Sequence, residues 1–193
     1  MVIRTEKDII HLIEQDDWMM DILLAAKSLS LPDWWVCAGF VRSKIWDTLH
    51  GFSERTPIPD IDVIYFDKTN LGERDEKRLE ERLKGILPDI PWSVKNEARM
   101  HLVNHLPPYS SSEDAMSKFP ETATALGLKL GGENRVILSA PCGLTDVLNM
   151  EVRPTAHFLQ NTLLAPIYEN RIKQKNWKAT WPRITVYPIK GEC

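Results

Sequence analysis

The 193-residue sequence predicts an α/β (α+β) fold, a mixed β-sheet flanked by helices with a helical pair at its N-terminal side. Three observations carry this reading. Strand-length apolar runs recur at 34–38, 60–66, 92–95 and 135–138. Stretches with apolar residues at helical spacing alternate with those runs, which is the pattern of a layered sheet-and-helix domain. Glycine and proline punctuate the junctions, at Gly39, Pro59, Pro88 and Gly131-Gly132.

Thr5 followed by Asp8 reads as a helix start, with Ile9, Leu12 and Ile13 as its apolar stripe up to about Gln15. After a break at Asp16-Asp17, Trp18, Ile22, Leu23, Ala26 and Leu29 predict a second helix that Pro32 stops. The run Trp34 to Ala38 is a strand ended by Gly39, after which Val41, Ile45, Thr48, Leu49 and Phe52 fall on one helical face. A polar loop from Ser53 to Pro59 leads into a strand over Asp60 to Phe66. Glu73 to Leu87 is a charged crossover helix with Leu79, Leu83, Ile86 and Leu87 as its stripe. Trp92 to Lys95 alternates as an edge strand does, and Asn96 to His101 is readable either as its continuation or as a helix. Helices are expected over Glu113–Phe119 and Glu121–Leu130, a strand over Arg135–Leu138, and a last helix through Leu159, Leu163 and Ile167 that Pro166 must start, kink or break.

One domain over 1–193 fits this length, divided into a helical cap (1–30), a core (31–155) and a C-terminal helix with a basic, aromatic tail (156–193). A net charge of −3 gives no global positive field to draw nucleic acid or an anionic membrane, so any polyanion site must be local. Cys37, Cys142 and Cys193 lack metal-ligand spacing and are odd in number, which suits a reducing, cytoplasmic setting. The N-terminal residues, with Arg4, Glu6, Lys7 and Asp8, predict neither a signal peptide nor a membrane span.

Asp60 and Asp62 stand at i and i+2 of a strand, so their carboxylates share a face and can hold one divalent cation. They begin a face otherwise made of Ile64 and Phe66, where unpaired acids are costly unless a cation relieves them. Two solvent-facing acids in a loop just before the strand explain the pair as well. Gly39, between strand and helix, lets phosphate approach exposed backbone N–H groups, with Arg42 and Lys44 as nearby charge; a plain strand-to-helix turn is the alternative. Lys95, Arg99 and His101 form a small basic group that suits either a triphosphate or a solvated surface. Asp146, after Gly143-Leu144-Thr145, reads as a helix-start residue. From Asn170 to Gly191 the chain carries Arg171, Lys173, Lys175, Lys178, Arg183 and Lys190 with no acid, interleaved with Trp177, Trp181 and Tyr187. That segment suits RNA or a nucleotide base, or equally a last helix with a basic face and tryptophans packed on the core. Tyr109 and His105 offer no comparable case.

Taken in order, Ala38 to Arg42, Ile45-Trp46-Asp47, Pro59 to Asp67, Trp92 to His101, Ala140 to Asp146 and Val152 to Thr155 resemble an uncharacterised bacterial branch of the nucleotidyltransferase-like proteins, from about Trp34 onward. The wider superfamily is similar to DNA polymerase β in its core. The resemblance implies a metal-dependent transferase that moves an NMP group from an NTP to a hydroxyl of an unidentified acceptor: a small molecule, a protein or a structured RNA. It implies Asp60 and Asp62 as catalytic residues and as ligands of Mg²⁺ or Mn²⁺, with the third acid replaced by Asn96 or displaced to Glu97. Gly39, Arg42, Ser43, Lys95 and Arg99 are the implied nucleotide-binding residues. Phe40 departs from the small residue expected after the turn glycine, and Asn96 from the expected acid. These departures also fit a catalytically inactive nucleotide- or RNA-binding module on the same fold. A D-x-D glycosyltransferase is the weaker third possibility, because such domains are usually larger.

Overall fold

The computed structural model describes residues 3–104 and 106–189, so His105, Lys190, Gly191 and Cys193 of the sequence reading lie outside the described residues. The first two helices, α1 (Glu6–Glu14) and α2 (Asp17–Ser28), start as their sequence dictates. The Thr5 hydroxyl accepts from the Asp8 N–H, and the Asp8 carboxylate accepts from the Thr5 N–H at 2.9 Å, a reciprocal cap. Asp16 caps α2 by accepting from the Met19 N–H. Strand β1 (Trp35–Cys37) leads into α3 (Gly39–His50), which ends at Gly51 with φ of 73°, leaving Phe52 outside the helix and exposed. Then come β2 (Ile61–Tyr65), the crossover α4 (Glu73–Ile86), β3 (Trp92–Asn96), α5 (Glu97–Val103) and α6 (Ser112–Met116). Strands β4 (Gly127–Leu130) and β5 (Val136–Ser139) complete the sheet, in the order β3-β2-β1-β4-β5. Within this five-stranded sheet only β2 and β3 pair in parallel. The chain finishes with α7 (Thr145–Leu148), β6 (Glu151–Val152), α8 (Ala156–Gln160), α9 (Ala165–Lys175), α10 (Trp177–Thr180) and β7 (Thr185–Val186), with β6 and β7 forming a small parallel ladder.

Two sequence expectations are corrected. The helix expected over Glu121–Leu130 is instead a short 3₁₀ turn at Thr122–Thr124 followed by β4. Leu126, Leu128 and Leu130 are buried at period two, and pairing on both sides overrides the helix-favouring composition. Gly127 is needed there, because a Cβ would sit 3.0 Å from Met116 Cε and 3.2 Å from Trp35 Cβ. The single helix through Leu159, Leu163 and Ile167 is broken into α8, a 3₁₀ turn and α9, with Pro166 in the first turn of α9. All three apolar residues are exposed rather than buried.

The open choice at Asn96 is settled by its own side chain. Asn96 Oδ1 accepts from the Ala98 N–H, so the strand stops and α5 begins. The edge of β3 is covered by acids of α4: Glu80 accepts from the Val94 N–H and Glu76 from the Asn96 N–H. Glu76 is 0% exposed and holds Arg99 through two hydrogen bonds of 3.0 and 2.8 Å. Replacing Glu76 by alanine leaves Arg99 and a strand N–H without their partner, and a loss of about 3 kcal/mol in urea unfolding is expected.

The main core lies between one sheet face and helices α1 to α4, with Val36, Ile61, Val63, Val94 and Leu128 pointing into it. The opposite face carries a smaller apolar cluster of Trp35, Cys37, Ile64, Met116 and Ala125. No described helix is long and apolar enough to cross a membrane.

Candidate active site

On β2, Ile61, Val63 and Tyr65 are buried in or against the core, while Asp62 belongs to the other face, level with Cys37 of β1 and Ser93 of β3. Asp60 lies just before the strand and is exposed. The loop that delivers it is fixed at two points: Arg55 reaches both Asp16 carboxylate oxygens at 2.8 Å, and Thr56 donates to Asp47 through its N–H and hydroxyl. Neither Asp60 nor Asp62 forms an ion pair among the described residues. Burial, and next the charge of Asp60, push the Asp62 carboxyl up to about 6, while a hydrogen bond from Ser93 and the charges of Arg171 and Lys175 pull it down. Asp62 is thus an acid that burial makes costly to ionise and that a neighbouring like charge makes costlier still.

Both aspartates line a cavity of about 250 Å³ with Gly39, Arg42, Ser43, Arg171, Lys175 and the two indoles of Trp177 and Trp181. Gly39 opens α3 directly after Ala38, whose φ of 58° is unusual for a residue with a side chain. A Cβ on Gly39 would meet Arg42 Nη2 at 3.5 Å and Ile58 Cγ2 at 3.8 Å, so the glycine keeps this wall of the cavity open rather than relieving a backbone clash. No side chain caps the N-terminus of α3.

Arg42 is the most unusual group in the cavity. It is 7% exposed, and its Nε is buried with no hydrogen-bond partner among the described residues. Its guanidinium lies 5.3 Å from the Trp46 ring, 4.8 Å from Trp177 and 5.9 Å from Trp181. Burial lowers its pKa to about 10, partly offset by the Glu121 carboxylate, so it is still charged at neutral pH. A buried cation boxed by indoles and lacking a hydrogen-bonded carboxylate has the chemistry to accept an anion.

The C-terminal segment supplies the rest. Trp181 donates from Nε1 to Asp47 at 2.8 Å and packs 5.2 Å from Trp46, which fixes α10 over α3. Arg171 donates from Nε to Glu121, itself 0% exposed and also receiving the Thr124 hydroxyl, leaving the remainder of the guanidinium toward the cavity. The two sequence readings of this segment thus combine: the tryptophans pack on the core, and Arg171 and Lys175 face the aspartates.

The nucleotidyltransferase family model matches residues 24–186. The chain belongs to the nucleotidyltransferase family. A protein solved by NMR, whose structure reveals a CCA-adding enzyme head domain, is 38% identical with a TM-score of 0.85, over 96% of this chain and 97% of that one. A CCA-adding enzyme in complex with CTP shares the fold at 13% identity and TM-score 0.54, over 97% of this chain and 44% of that one. The Thermotoga maritima CCA-adding enzyme complexed with tRNA does so at 15% identity and TM-score 0.51, over 97% of this chain and 43% of that one. The chain spans less than half the length of these two enzymes. No curated protein matches it.

In this nucleotidyltransferase family member, several sequence-predicted residues lie away from the cavity. Asn96 spends its amide on structure: its Nδ2 donates to the carbonyls of Asp67 and Asn70, and its Oδ1 accepts from Asp67 and Ala98. Lys95 and Arg99 pair with Glu76 at the sheet edge instead of reaching toward Asp60 and Asp62. Asp146 lies in the first turn of α7 and accepts from the Thr122 hydroxyl. Glu97 is buried, and its carboxyl is pushed up to about 8 by burial and next by the charge of Asp62. No group of three His, Cys, Asp or Glu side chains that could hold a metal ion occurs among the described residues. The sequence reading missed Arg171 and Lys175 as neighbours of the aspartates in one cavity; the acid-free run from Asn170 carried that signal.

A broader depression of about 880 Å³ lies along α4 between Glu73, Arg74, Lys77, Arg78, Glu81 and Arg82. It is walled by one helix alone and encloses nothing.

Proposed function

We propose that the protein transfers a nucleotidyl group from an NTP to a hydroxyl acceptor at the cavity between β2, α3 and α9. The observation that carries this reading is the meeting of opposites within one cavity: two carboxylates that form no ion pair among the described residues share it with an indole-boxed arginine whose Nε has no hydrogen-bond partner. Asp60 and Asp62 fit a divalent cation, Mg²⁺ or Mn²⁺, because their oxygens are hard donors and their mutual repulsion is relieved by it. A bound cation supplies positive charge at the α-phosphate and at the leaving pyrophosphate. Arg42, Arg171, Lys175 and the open N-terminus of α3 hold the β- and γ-phosphates, and Ser43 lies on the same wall. A volume of about 250 Å³ suits the phosphate tail and its metal, leaving base and sugar at the mouth; sites that enclose a whole small molecule run from roughly 300 to 1,000 Å³.

A second reading, a nucleotide-binding module without chemistry, is favoured by one observation, the absence of a three-acid group around Asp62 among the described residues. Incubation with Mg²⁺ and each α-labelled NTP, across small-molecule, protein and RNA acceptors, separates the two. Label on an acceptor, lost when Asp60 and Asp62 are both asparagine, supports the transferase. Label that survives in the double variant refutes this site, and Mg²⁺-dependent NTP binding with no label anywhere supports the binding module.

A further inference from the structure

A second cavity, of about 410 Å³, opens on the other side of the small apolar cluster. Ala38, which borders the first cavity, and Phe119, which borders the second, both pack against this one cluster. The lining is mostly apolar, with Met100, Phe119, Phe158, Leu164 and Ile167 among its residues. Among its polar side chains Asn104 donates to the Tyr109 hydroxyl and Lys118 pairs with Asp114, which leaves two groups without a partner. Glu97, 6% exposed, lines the cavity, and its carboxyl has no hydrogen-bond partner among the described residues. His157 Nε2 is likewise buried and unpartnered. Buried polar groups are normally satisfied, and a pair left open on one apolar cavity marks where a ligand's polar end belongs. Glu97 opens α5 directly after Asn96, which stands opposite Tyr65 of β2, the strand that carries Asp62.

We propose that this cavity is the acceptor site and takes a small, uncharged, ring-sized alcohol or phenol whose hydroxyl is oriented by Glu97. Lys118 is the one cation in the lining and is already paired with Asp114, so nothing there answers to an RNA backbone. Arg171 and Lys175 face the other cavity. The exposed Val103 and Ile167 at the rim suit the entry of an apolar molecule. In the reaction the hydroxyl oxygen bonds to the α-phosphorus, the α–β P–O bond breaks, pyrophosphate leaves with the bonding electrons, and the hydroxyl proton is released to water. This role rests on the nucleotidyl-transfer reading, whereas binding in the cavity does not.

The test uses 2-phenylethanol titrated into the full chain without nucleotide and followed by amide chemical shifts. Saturable shifts confined to α5, α6 and residues 156–167 are expected. They should weaken at least tenfold in Val103→Trp, which plugs the half-exposed rim, and in Ala115→Phe, which fills the floor. Glu97→Gln should retain binding within about threefold because an amide still hydrogen-bonds, while Glu97→Leu should lose at least tenfold. No saturable shift with a folded chain, or shifts unchanged in the plugged variant, overturns the proposal. Shifts at these amides with a short single-stranded RNA and none with the alcohol also overturn it. With Mg²⁺ and labelled ATP added, a labelled phosphodiester of the alcohol supports the acceptor role. Binding without that product, while another acceptor is labelled, overturns the role and leaves the transferase standing; no label on any acceptor counts against the transferase itself.

Discussion

Replacing Asp62 by asparagine is expected to remove label transfer by about a thousandfold and, at the same time, to make the ligand-free chain more stable at pH 7.5. The first effect follows from loss of a charge aimed at the reacting phosphate, a change worth roughly 10² to 10³ in rate where electrostatic stabilisation dominates. The second has the opposite sign because the carboxylate is costly without its cation. Asp62 titrates near 6 in the folded chain against an ordinary 3.8, so the native state binds its proton more tightly than the unfolded state does. Stability from this group is present below about pH 4, falls as pH rises to about 6, and stays reduced above. Asparagine removes that penalty, worth up to about 3 kcal/mol. Urea unfolding of both proteins at pH 7.5 and pH 4 reads it directly: a gain at the higher pH that vanishes at the lower. A loss of stability at pH 7.5 means that Asp62 is a satisfied structural acid and not a poised ligand. Glu97, pushed up to about 8, extends the same penalty to higher pH. Saturating Mg²⁺ should shift the acid limb of the rate profile below pH 6, since cation and proton compete for the same oxygens.

Replacing Arg42 by methionine should weaken binding of Mg²⁺–ATP by about ten- to a hundredfold, the range of one charge-assisted contact to a phosphate. The same change leaves stability unaltered or raises it, because a thioether suits the indole box of Trp46, Trp177 and Trp181 better than an unpaired guanidinium. Calorimetric titration with Mg²⁺–ATP and thermal unfolding of the free chain test the two halves separately. Lysine should not rescue affinity, since a point charge lacks the flat face that stacks in this box. If Arg42→Met unfolds the chain, the guanidinium is structural and the anion site lies elsewhere.

Much of the architecture is written in short-range signals. Thr5 with Asp8, the strand before Gly39, the charged crossover and the alternation at Trp92 each specify their own element. What fails is long-range. Residues 121–130 contain nothing that rules out a helix; they extend because β1 and β5 offer hydrogen bonds on either side. In the cavity, strand period sets Asp60 beside Asp62 and one helical turn sets Gly39 beside Arg42, but the two pairs meet only because β1 lies against β2, with Cys37 opposite Asp62. Lys95 and Arg99 looked equally basic, but the acid that claims them, Glu76, lies on another helix. The meeting of Arg171 with the aspartates depends on the Trp181 to Asp47 hydrogen bond and the Trp46 contacts, which no local pattern encodes.

The cavity is built from pieces made at different times. Asp62 and Arg171 stand 109 positions apart in the chain (171 − 62), and α10, which locks the tryptophans over α3, comes later still. On a ribosome the sheet, Arg42 and both aspartates emerge with the cavity open on one side, and the wall of Arg171, Lys175 and the two tryptophans arrives last. If the cavity takes an NTP as proposed, nucleotide affinity in a nascent chain would report whether α9 and α10 have docked. A ligand that binds only the closed cavity would add to the stability of that final closure by mass action.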